Sequence, residues 1–216
     1  MNAMKKSIVT VVLCVLVLIC ANESPSQLIK GYGIKLGLTS ADQKINYFLH
    51  GDLETKRRLG FISGVYVEWL DIPFISVITE ADYTQRGNGF KIPVTTEVGS
   101  QIGNKTFYSR LDYLSIPVLA KFTLSGTIIS PYIFAGPRFD FLLGYKSDGN
   151  SFTDLYERFK KNIFGGTVGL GAETGSILPV TLTADFRYNF DFTKSYKSQY
   201  LEVTNNAFDF LLGVRF

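Results

Sequence analysis

Residues 208–216 of the chain, FDFLLGVRF, decide the expected fold. Every second residue of this stretch is large and apolar: Phe208, Phe210, Leu212, Val214 and Phe216. The residues between them are mostly polar or small: Asp209, Leu211, Gly213 and Arg215. Successive side chains of a β-strand point to opposite faces, so this period of two predicts a strand. An apolar outer face with a mostly polar inner face is typical of a barrel wall that contacts lipid.

The aromatic residue at the chain end is a second indication. The five apolar residues of this stretch, ending at Phe216, resemble the carboxy-terminal signal that the outer-membrane insertion machinery reads on bacterial β-barrels. The resemblance implies that the chain is inserted into the outer membrane of a Gram-negative bacterium. It also implies two kinds of partner, which are the insertion machinery and the outer-membrane lipid with its lipopolysaccharide.

The composition favours an all-β chain of one domain. The 216 residues include 18 Phe and 12 Tyr, and only 19% of them are charged. Aromatic residues are enriched in strands. The mean hydropathy of +0.13 is too low for a helical membrane protein, whereas a membrane barrel hides half of its strand residues in a polar lumen. A formal charge of +3 is too small to indicate nucleic-acid binding.

The amino-terminal segment has the pattern of a secretory signal peptide. Lys5 and Lys6 precede an apolar run at residues 8–19, which is too short to span a bilayer core of ~30 Å as a helix. We therefore expect a signal peptide over residues 1–21 and a mature barrel domain over residues 22–216. Cys14 and Cys20 both fall in the signal segment, so the mature chain is expected to have no disulfide and no thiolate metal site.

Apolar alternation recurs in eight blocks along the mature chain. They lie near residues 28–39, 58–70, 73–86, 108–125, 130–146, 162–175, 179–192 and 208–216. The connections alternate between short turns and long polar segments, the long ones near residues 40–57, 87–107, 147–161 and 193–206. This pattern predicts an eight-stranded antiparallel up-and-down transmembrane β-barrel with both termini at the periplasmic end. A soluble barrel would carry its apolar residues inside.

The inward positions of these blocks collect most of the charged residues of the strands. The predicted lumenal cations are Lys35, Lys121, Arg138, Arg187 and Arg215. The predicted lumenal carboxylates are Glu68, Glu80, Asp82, Asp140, Glu173, Asp185 and Asp209. Buried charges are tolerated only when they are paired and hydrogen-bonded, so we expect a lumenal salt-bridge network in which each cation contacts a carboxylate. An eight-stranded barrel is just wide enough for side chains to fill, which argues against an open porin.

Two prolines conflict with a regular barrel. Pro117 and Pro137 each remove a backbone donor in the middle of a predicted strand. They are interpreted at this point as marking β-bulges on two adjacent strands.

Three segments carry a family resemblance. They are residues 83–87 (YTQRG), 113–121 (YLSIPVLAK) and 131–137 (PYIFAGP). Together with the glycine-rich sixth block and the terminal strand, they resemble the PorT-like outer-membrane β-barrel family that is common in Bacteroidota. The resemblance implies a small outer-membrane barrel, and the family's namesake assists protein export by the type IX secretion system. Secretion-system proteins are therefore candidate partners. The family implies no catalytic residue and no cofactor.

Two further functions remain open beside a non-enzymatic structural, accessory or surface-binding role. A lipid A-modifying enzyme would need a histidine near the outer leaflet, and His50 lies beside Asp52 in the first long connection. A narrow channel would use the lumenal charges. We expect a non-enzymatic protein without a metal site, because no nucleophile is fixed near His50 and no spacing gathers Glu80, Asp82 and Asp140 around an ion.

Overall fold

A computed structural model describes residues 28–47, 55–95, 101–147, 159–174, 180–199 and 201–216. Nearly all of these residues lie in antiparallel strands. In chain order the strands are β1 (Ile29–Tyr47), β2 (Thr55–Ile72), β3 (Ile75–Thr95), β4 (Gln101–Thr123), β5 (Ile129–Ser147), β6 (Asn162–Thr174), β7 (Thr181–Asp191), β8 (Tyr196–Lys197) and β9 (Leu201–Arg215). No helix in the described part of the chain is long and apolar enough to cross a membrane.

Eight of these strands close into a ring. Strands β1 to β7 pair consecutively, β7 pairs with β9, and β9 returns to pair with β1 from Arg215–Gly33 to Leu201–Tyr47. The two-residue strand β8 pairs with β9 at Val203 and Glu202, beyond the point where β7 ends, and so continues the wall there. The predicted eight-stranded antiparallel up-and-down barrel is confirmed.

The two faces of the wall have opposite character in the membrane part of the barrel. On β1, Leu36 and Leu38 point outward and are 55% and 61% exposed, whereas Lys35 and Thr39 are buried in the lumen. The closing strand repeats this arrangement, because Phe210 points outward while Asp209 is buried. The charged residues are therefore inside and the apolar residues outside, as expected for a wall in contact with hydrocarbon.

The strands extend further at one end than the alternation predicts. Residues 40–47 belong to β1, β3 continues to Thr95, and β9 begins at Leu201, so the predicted long connections are partly strand. Backbone pairing continues there, for example between Asp42 and Asn206. The apolar outward pattern ends because these outer positions no longer face hydrocarbon, so the sequence signal stops before the sheet does.

The proline interpretation was wrong. The register between β4 and β5 runs without a shift from Pro117–Arg138 to Ala120–Ala135, and the one between β5 and β6 runs unbroken through Pro137–Gly166. Each proline removes a donor without adding a residue to its strand, so no bulge is needed. Gly136 lets the strands approach closely, because a Cβ at this position would lie 1.9 Å from the Val118 carbonyl oxygen.

Two predictions fall outside the described residues. They are the signal peptide over residues 1–21 and the loop residues His50 and Asp52. The connections β2–β3, β4–β5 and β6–β7 are short and share one end of the barrel, which we assign to the periplasm because short turns mark that side of outer-membrane barrels.

Candidate functional site

The lumen of the barrel is filled by three clusters of charged side chains. Eleven of the twelve residues predicted to lie there are buried, and the side chain of Arg215 is 13% exposed. The strand alternation places them inside, and the stagger between strands decides which of them meet.

The cluster nearest the periplasm is a closed ring of alternating charge. Lys121 Nζ lies 3.2 Å from Glu68 Oε1 and 2.6 Å from Glu173 Oε2. Arg215 Nη1 lies 2.5 Å from Glu68 Oε2 and 3.0 Å from Glu173 Oε2. The four residues stand on β2, β4, β6 and β9, which are alternate strands of the ring. Each charged side chain therefore reaches across an intervening strand, and the ring of ion pairs links four strands of the barrel.

Neighbouring polar groups complete this ring. Ser76 Oγ donates a hydrogen bond to Glu68 Oε1 at 2.6 Å, and Lys30 Nζ reaches the same oxygen at 3.2 Å from the rim. Arg215 Nη2 donates to Thr181 Oγ1 at 3.3 Å. Glu68 thus accepts from several donors at once, which offsets the cost of removing its charge from water.

The middle cluster joins β1, β3 and β7. Lys35 Nζ lies 2.8 Å from both Glu80 Oε1 and Asp185 Oδ2. Arg187 donates to Glu80 at 2.5 and 3.0 Å and to Asp185 Oδ2 at 2.6 Å. Asp82 Oδ2 lies further away, 3.8 Å from Arg187 Nη1. Two cations and two carboxylates form the tight core of this cluster, with Asp82 at its edge.

Aromatic rings separate the cluster nearest the periplasm from the middle cluster. Lys121 Nζ lies 4.3 Å from the ring centroid of Tyr132, whose hydroxyl donates a hydrogen bond to Asp185. Lys35 Nζ lies 4.5 Å from the centroid of Tyr66, within the range of a cation–π interaction. Gly171 makes room for Tyr132, because a Cβ there would lie 2.6 Å from the Tyr132 ring. The rings of Tyr66 and Tyr132 fill space in the lumen where a further charged side chain would have no partner.

The third cluster lies toward the extracellular end. Arg138 Nε donates to Asp140 at 2.9 and 3.0 Å, and its Nη2 donates to Asp191 Oδ1 at 2.5 Å. Arg86 Nη1 donates to Asp140 Oδ2 at 2.6 Å, and Ser115 Oγ donates to Asp140 Oδ1 at 2.6 Å. Asp140 is therefore held by two guanidinium groups and a hydroxyl.

Asp209 accepts a hydrogen bond from an amide side chain in a chain of polar residues. Asn189 Nδ2 donates to Asp209 Oδ2 at 2.6 Å, and Thr167 Oγ1 donates to Asn189 Oδ1 at 2.7 Å. Asn205 contributes a second chain, since its Nδ2 lies 2.9 Å from Asp191 Oδ2 and 2.6 Å from Ser195 Oγ.

Above the charges, the extracellular end of the lumen contains a cluster of apolar side chains. The buried cluster there consists of Ile45, Phe90, Leu111, Tyr113, Phe159, Ile163 and Val203. Phe159 comes from the segment before β6 and its ring stacks on Tyr196 at 5.8 Å between centroids. The in–out alternation of β4 continues at this level but the polarity of its two faces has reversed, because the outward residues are Arg110 and Asp112 and the inward residue is Leu111. Such a reversal fits a wall that has left the hydrocarbon and meets water on its outside.

Sequence reasoning missed Arg86 and Asp191. Both follow the inward parity of predicted residues, since Arg86 continues the series through Glu80 and Asp82 and Asp191 continues that of Arg187. The signal was therefore present in the strand pattern. The three acids weighed as a metal site are divided, because Asp140 meets Arg86 and Arg138 while Glu80 and Asp82 meet Arg187. Within the described residues, no group of three or more His, Cys, Asp or Glu side chains is placed to hold a metal ion.

Solved structures resemble this fold at low sequence identity. The outer membrane protein OprG from Pseudomonas aeruginosa aligns with a TM-score of 0.51 and 10% identity, covering 88% of this chain and 97% of that chain. The outer membrane protease OmpT from Escherichia coli aligns with a TM-score of 0.46 and 10% identity, covering 90% of this chain and 99% of that chain. E. coli outer membrane protein W aligns with a TM-score of 0.41 and 14% identity over 86% of this chain and 97% of that chain. At these identities the OprG alignment shows the fold alone.

Sequence comparison supplies the family. No curated protein matches the chain. The family model described as "Outer membrane protein beta-barrel domain" matches residues 26–197, which is most of the chain. The match agrees with the closed eight-stranded wall, its apolar outside and its charged lumen. The chain therefore belongs to the outer membrane protein beta-barrel domain family and is a protein of the Gram-negative outer membrane.

Proposed function

We propose that this protein is a non-enzymatic, non-conducting scaffold of the outer membrane that presents its extracellular strand ends for an accessory or surface-binding role. The observation that carries the proposal is the filled lumen. Three charged clusters and an apolar cluster occupy successive levels of the barrel.

A filled lumen argues against a channel on energetic grounds. An ion moving through the middle cluster would have to displace Lys35 or Arg187 from the carboxylates that they contact at 2.5–2.8 Å. It would then cross the apolar cluster around Leu111, where its charge would lose hydration without gaining a partner.

The strand ends provide the surface for a partner. The hairpin of β3 and β4 extends as paired strands to Thr95 and Gln101, well beyond the outward apolar residues. A rigid paired hairpin loses less conformational freedom on binding than a flexible loop, which favours recognition. A PorT-like role in type IX secretion, in a species of the Bacteroidota, is the specific form of the proposal that the sequence resemblance supports.

The scaffold role is tested by single-channel recording in planar lipid bilayers. We expect no discrete conductance from the purified full chain, with an open porin in the same bilayer composition as the positive control. A discrete conductance that changes in size when Arg138 is replaced by Gln would contradict a non-conducting lumen and establish the narrow channel.

The accessory role is tested in cells. Deletion of the gene should change the set of proteins exported to the cell surface, and the full chain should restore it. His50→Ala should restore it equally well and should leave the lipid A mass spectrum unchanged. An altered lipid A that depends on His50 would instead establish the lipid-modifying enzyme.

A further inference from the structure

A basic groove lies on the outer wall of the barrel near its extracellular end. It has a volume of about 540 Å³. The residues that line it are Arg57, Arg58, Leu59, Tyr108, Arg110 and Lys146. Four of these six residues are cations and none is acidic. Arg110 and Lys146 pair directly across β4 and β5, and like charges held opposite each other are destabilising unless an anion meets them.

Two glycines of β3 lie beside Tyr108 and Arg110 of this groove. Gly87 pairs with Arg110 and Gly89 pairs with Tyr108, so β3 presents no side chain between its neighbouring strands here. A Cβ at Gly89 would lie 2.9 Å from the Tyr108 ring, and Gly87 has a φ of +134°, which L side chains rarely adopt. The depression therefore depends on the glycines.

An extra residue in β2 shapes the opposite wall. Ile62 pairs with Thr84 but Arg57 pairs with Asn88, so five steps along β2 match four along β3. Such a bulge redirects the side chains next to it. Arg58 and Leu59 lie inside this irregular segment and both line the groove.

The structure orients two of the guanidinium groups. Arg57 donates to the Ser40 carbonyl oxygen at 2.9 Å and to Asn206 Oδ1 at 3.1 Å. Arg110 donates through Nε and Nη2 to Asp112 Oδ2 at 3.1 and 2.8 Å. The contacts of Arg57 turn its guanidinium toward β1 and β9, whereas Arg110 stays on β4 and keeps N–H donors that Asp112 does not use.

The position of the groove along the barrel axis identifies the layer of the membrane in which its ligand would lie. Arg57 lies 4.8 Å from the ring centroid of Phe208, and Phe208 packs on Tyr188 at 4.9 Å between centroids. Outward aromatic rings of this kind mark the interface of a membrane barrel with the headgroup layer. Leu59, which is 72% exposed, extends the apolar surface to the edge of the cations. The groove therefore combines apolar contact with positive charge at the level of the outer-leaflet headgroups.

We propose that this groove binds the phosphate group of a phosphorylated glycolipid in the outer leaflet. Arg110 supplies a planar donor pair that matches phosphate oxygens, Lys146, which pairs with Arg110 across β4 and β5, adds positive charge, and Leu59 contacts an acyl chain. This proposal names a ligand for the surface-binding role proposed above. It rests on that role only in requiring that the protein lie in the outer membrane.

The test measures lipid binding by native mass spectrometry of the purified full chain released from detergent micelles. The probes are bisphosphorylated lipid A, lipid A without phosphates, and inorganic phosphate as a competitor. The variant Arg110→Gln/Lys146→Gln removes two charges from the groove. The charge-matched control Lys44→Gln/Lys197→Gln removes two exposed cations at the same end of the barrel. Heat-modifiable gel migration verifies that every variant is folded.

We expect the wild type and the control to bind bisphosphorylated lipid A, and the groove variant to bind it at least about tenfold more weakly. Equal binding by the folded groove variant would overturn the proposal, as would equal binding of lipid A with and without phosphates. Displacement of lipid A by inorganic phosphate at the same concentration would show a site for the free anion and would also overturn it. Conductance recorded on the same preparation tests the scaffold role separately, because a conducting barrel could still bind the lipid.

Discussion

Arg187 and Glu80 meet across the full width of the barrel. They stand on β7 and β3, which are opposite strands in a ring of eight, and two hydrogen bonds of 2.5 and 3.0 Å join them. Adjacent strands of the wall are held by backbone pairing, but opposite strands have no such link. This ion pair therefore braces the barrel along a diameter.

The first prediction concerns that brace. Arg187→Gln should lower the free energy of unfolding by about 3–5 kcal/mol, because Glu80 and Asp185 would remain buried with Lys35 as their shared cation. Urea unfolding in lipid vesicles, followed by the fluorescence of Trp69, measures the change. Lys197→Gln is the control, since Lys197 is exposed and should change the same quantity by less than about 0.5 kcal/mol. Equal effects of the two substitutions would show that the Arg187–Glu80 ion pair contributes no more to the free energy of unfolding than an exposed cation does.

The second prediction concerns the periplasmic ring. Lys121 and Glu173 should show a coupling free energy of about 0.5–3 kcal/mol in a double-mutant cycle of Lys121→Met and Glu173→Gln. The two charges are buried and in direct contact, so removing one should change what the other contributes. Unfolding of the four proteins in the same vesicles gives the coupling. A cycle between Lys121 and Asp140, which belong to separate clusters, should be close to additive, and non-additivity of the same size there would contradict the assignment of clusters.

The third prediction compares two glycines of β5. Gly136→Ala should destabilise the barrel by about 1–3 kcal/mol, because the added Cβ would lie 1.9 Å from the Val118 carbonyl oxygen and force the strands apart. Gly144→Ala should be tolerated, since a Cβ at Gly144 meets nothing within 4 Å. Denaturant unfolding measures both effects. If the two variants were equally stable, the close approach of β4 and β5 at Gly136 would be refuted.

The fourth prediction concerns insertion. The ring of Phe216 is 58% exposed on the outer wall, 6.1 Å from that of Tyr32, so its truncation removes little folded-state packing. Phe216→Ala should nevertheless reduce the folded fraction in the outer membrane, because it changes the terminal residue that the insertion machinery is expected to read. Heat-modifiable migration of membrane fractions measures this fraction, while refolding of the purified variant into vesicles should remain efficient. Phe122→Ala, another outward aromatic that is 43% exposed, is the control. A similar loss for both variants would mean that general lipid contact, rather than the terminal signal, explains the effect.

The number of strands and the facing of their residues follow from the sequence because lipid imposes one simple rule. Where hydrocarbon covers the wall, every outward position must be apolar, and series such as Leu36 and Leu38 or Phe210 and Leu212 show this with a period of two. The rule ends where the hydrocarbon ends. The sequence consequently does not reveal that β1 and β3 continue, nor that Leu111 and Phe90 close the lumen with apolar side chains.

Strand parity placed twelve charged residues in the lumen but missed Arg86 and Asp191, and it contained no information on which residues pair. Parity along a strand places Arg187 and Glu80 inside, yet their contact joins residues 107 positions apart on strands that share no backbone bond. It depends on the stagger accumulated around the ring, which no local pattern contains. The basic groove could not be predicted for a similar reason, since Leu59 of β2 and Lys146 of β5 line it together only across the intervening strands β3 and β4.

The position of Arg215 near the chain terminus has a consequence for biogenesis. The second cation of the periplasmic ring is delivered only when the final strand docks between β1 and β7. Until then Glu173 shares Lys121 with Glu68, while Glu68 also contacts the rim residue Lys30, so the ring of ion pairs stays open on the side of the last strand. Pairing of the last strand with its two neighbours and completion of the ion-pair ring by Arg215 are thus a single event.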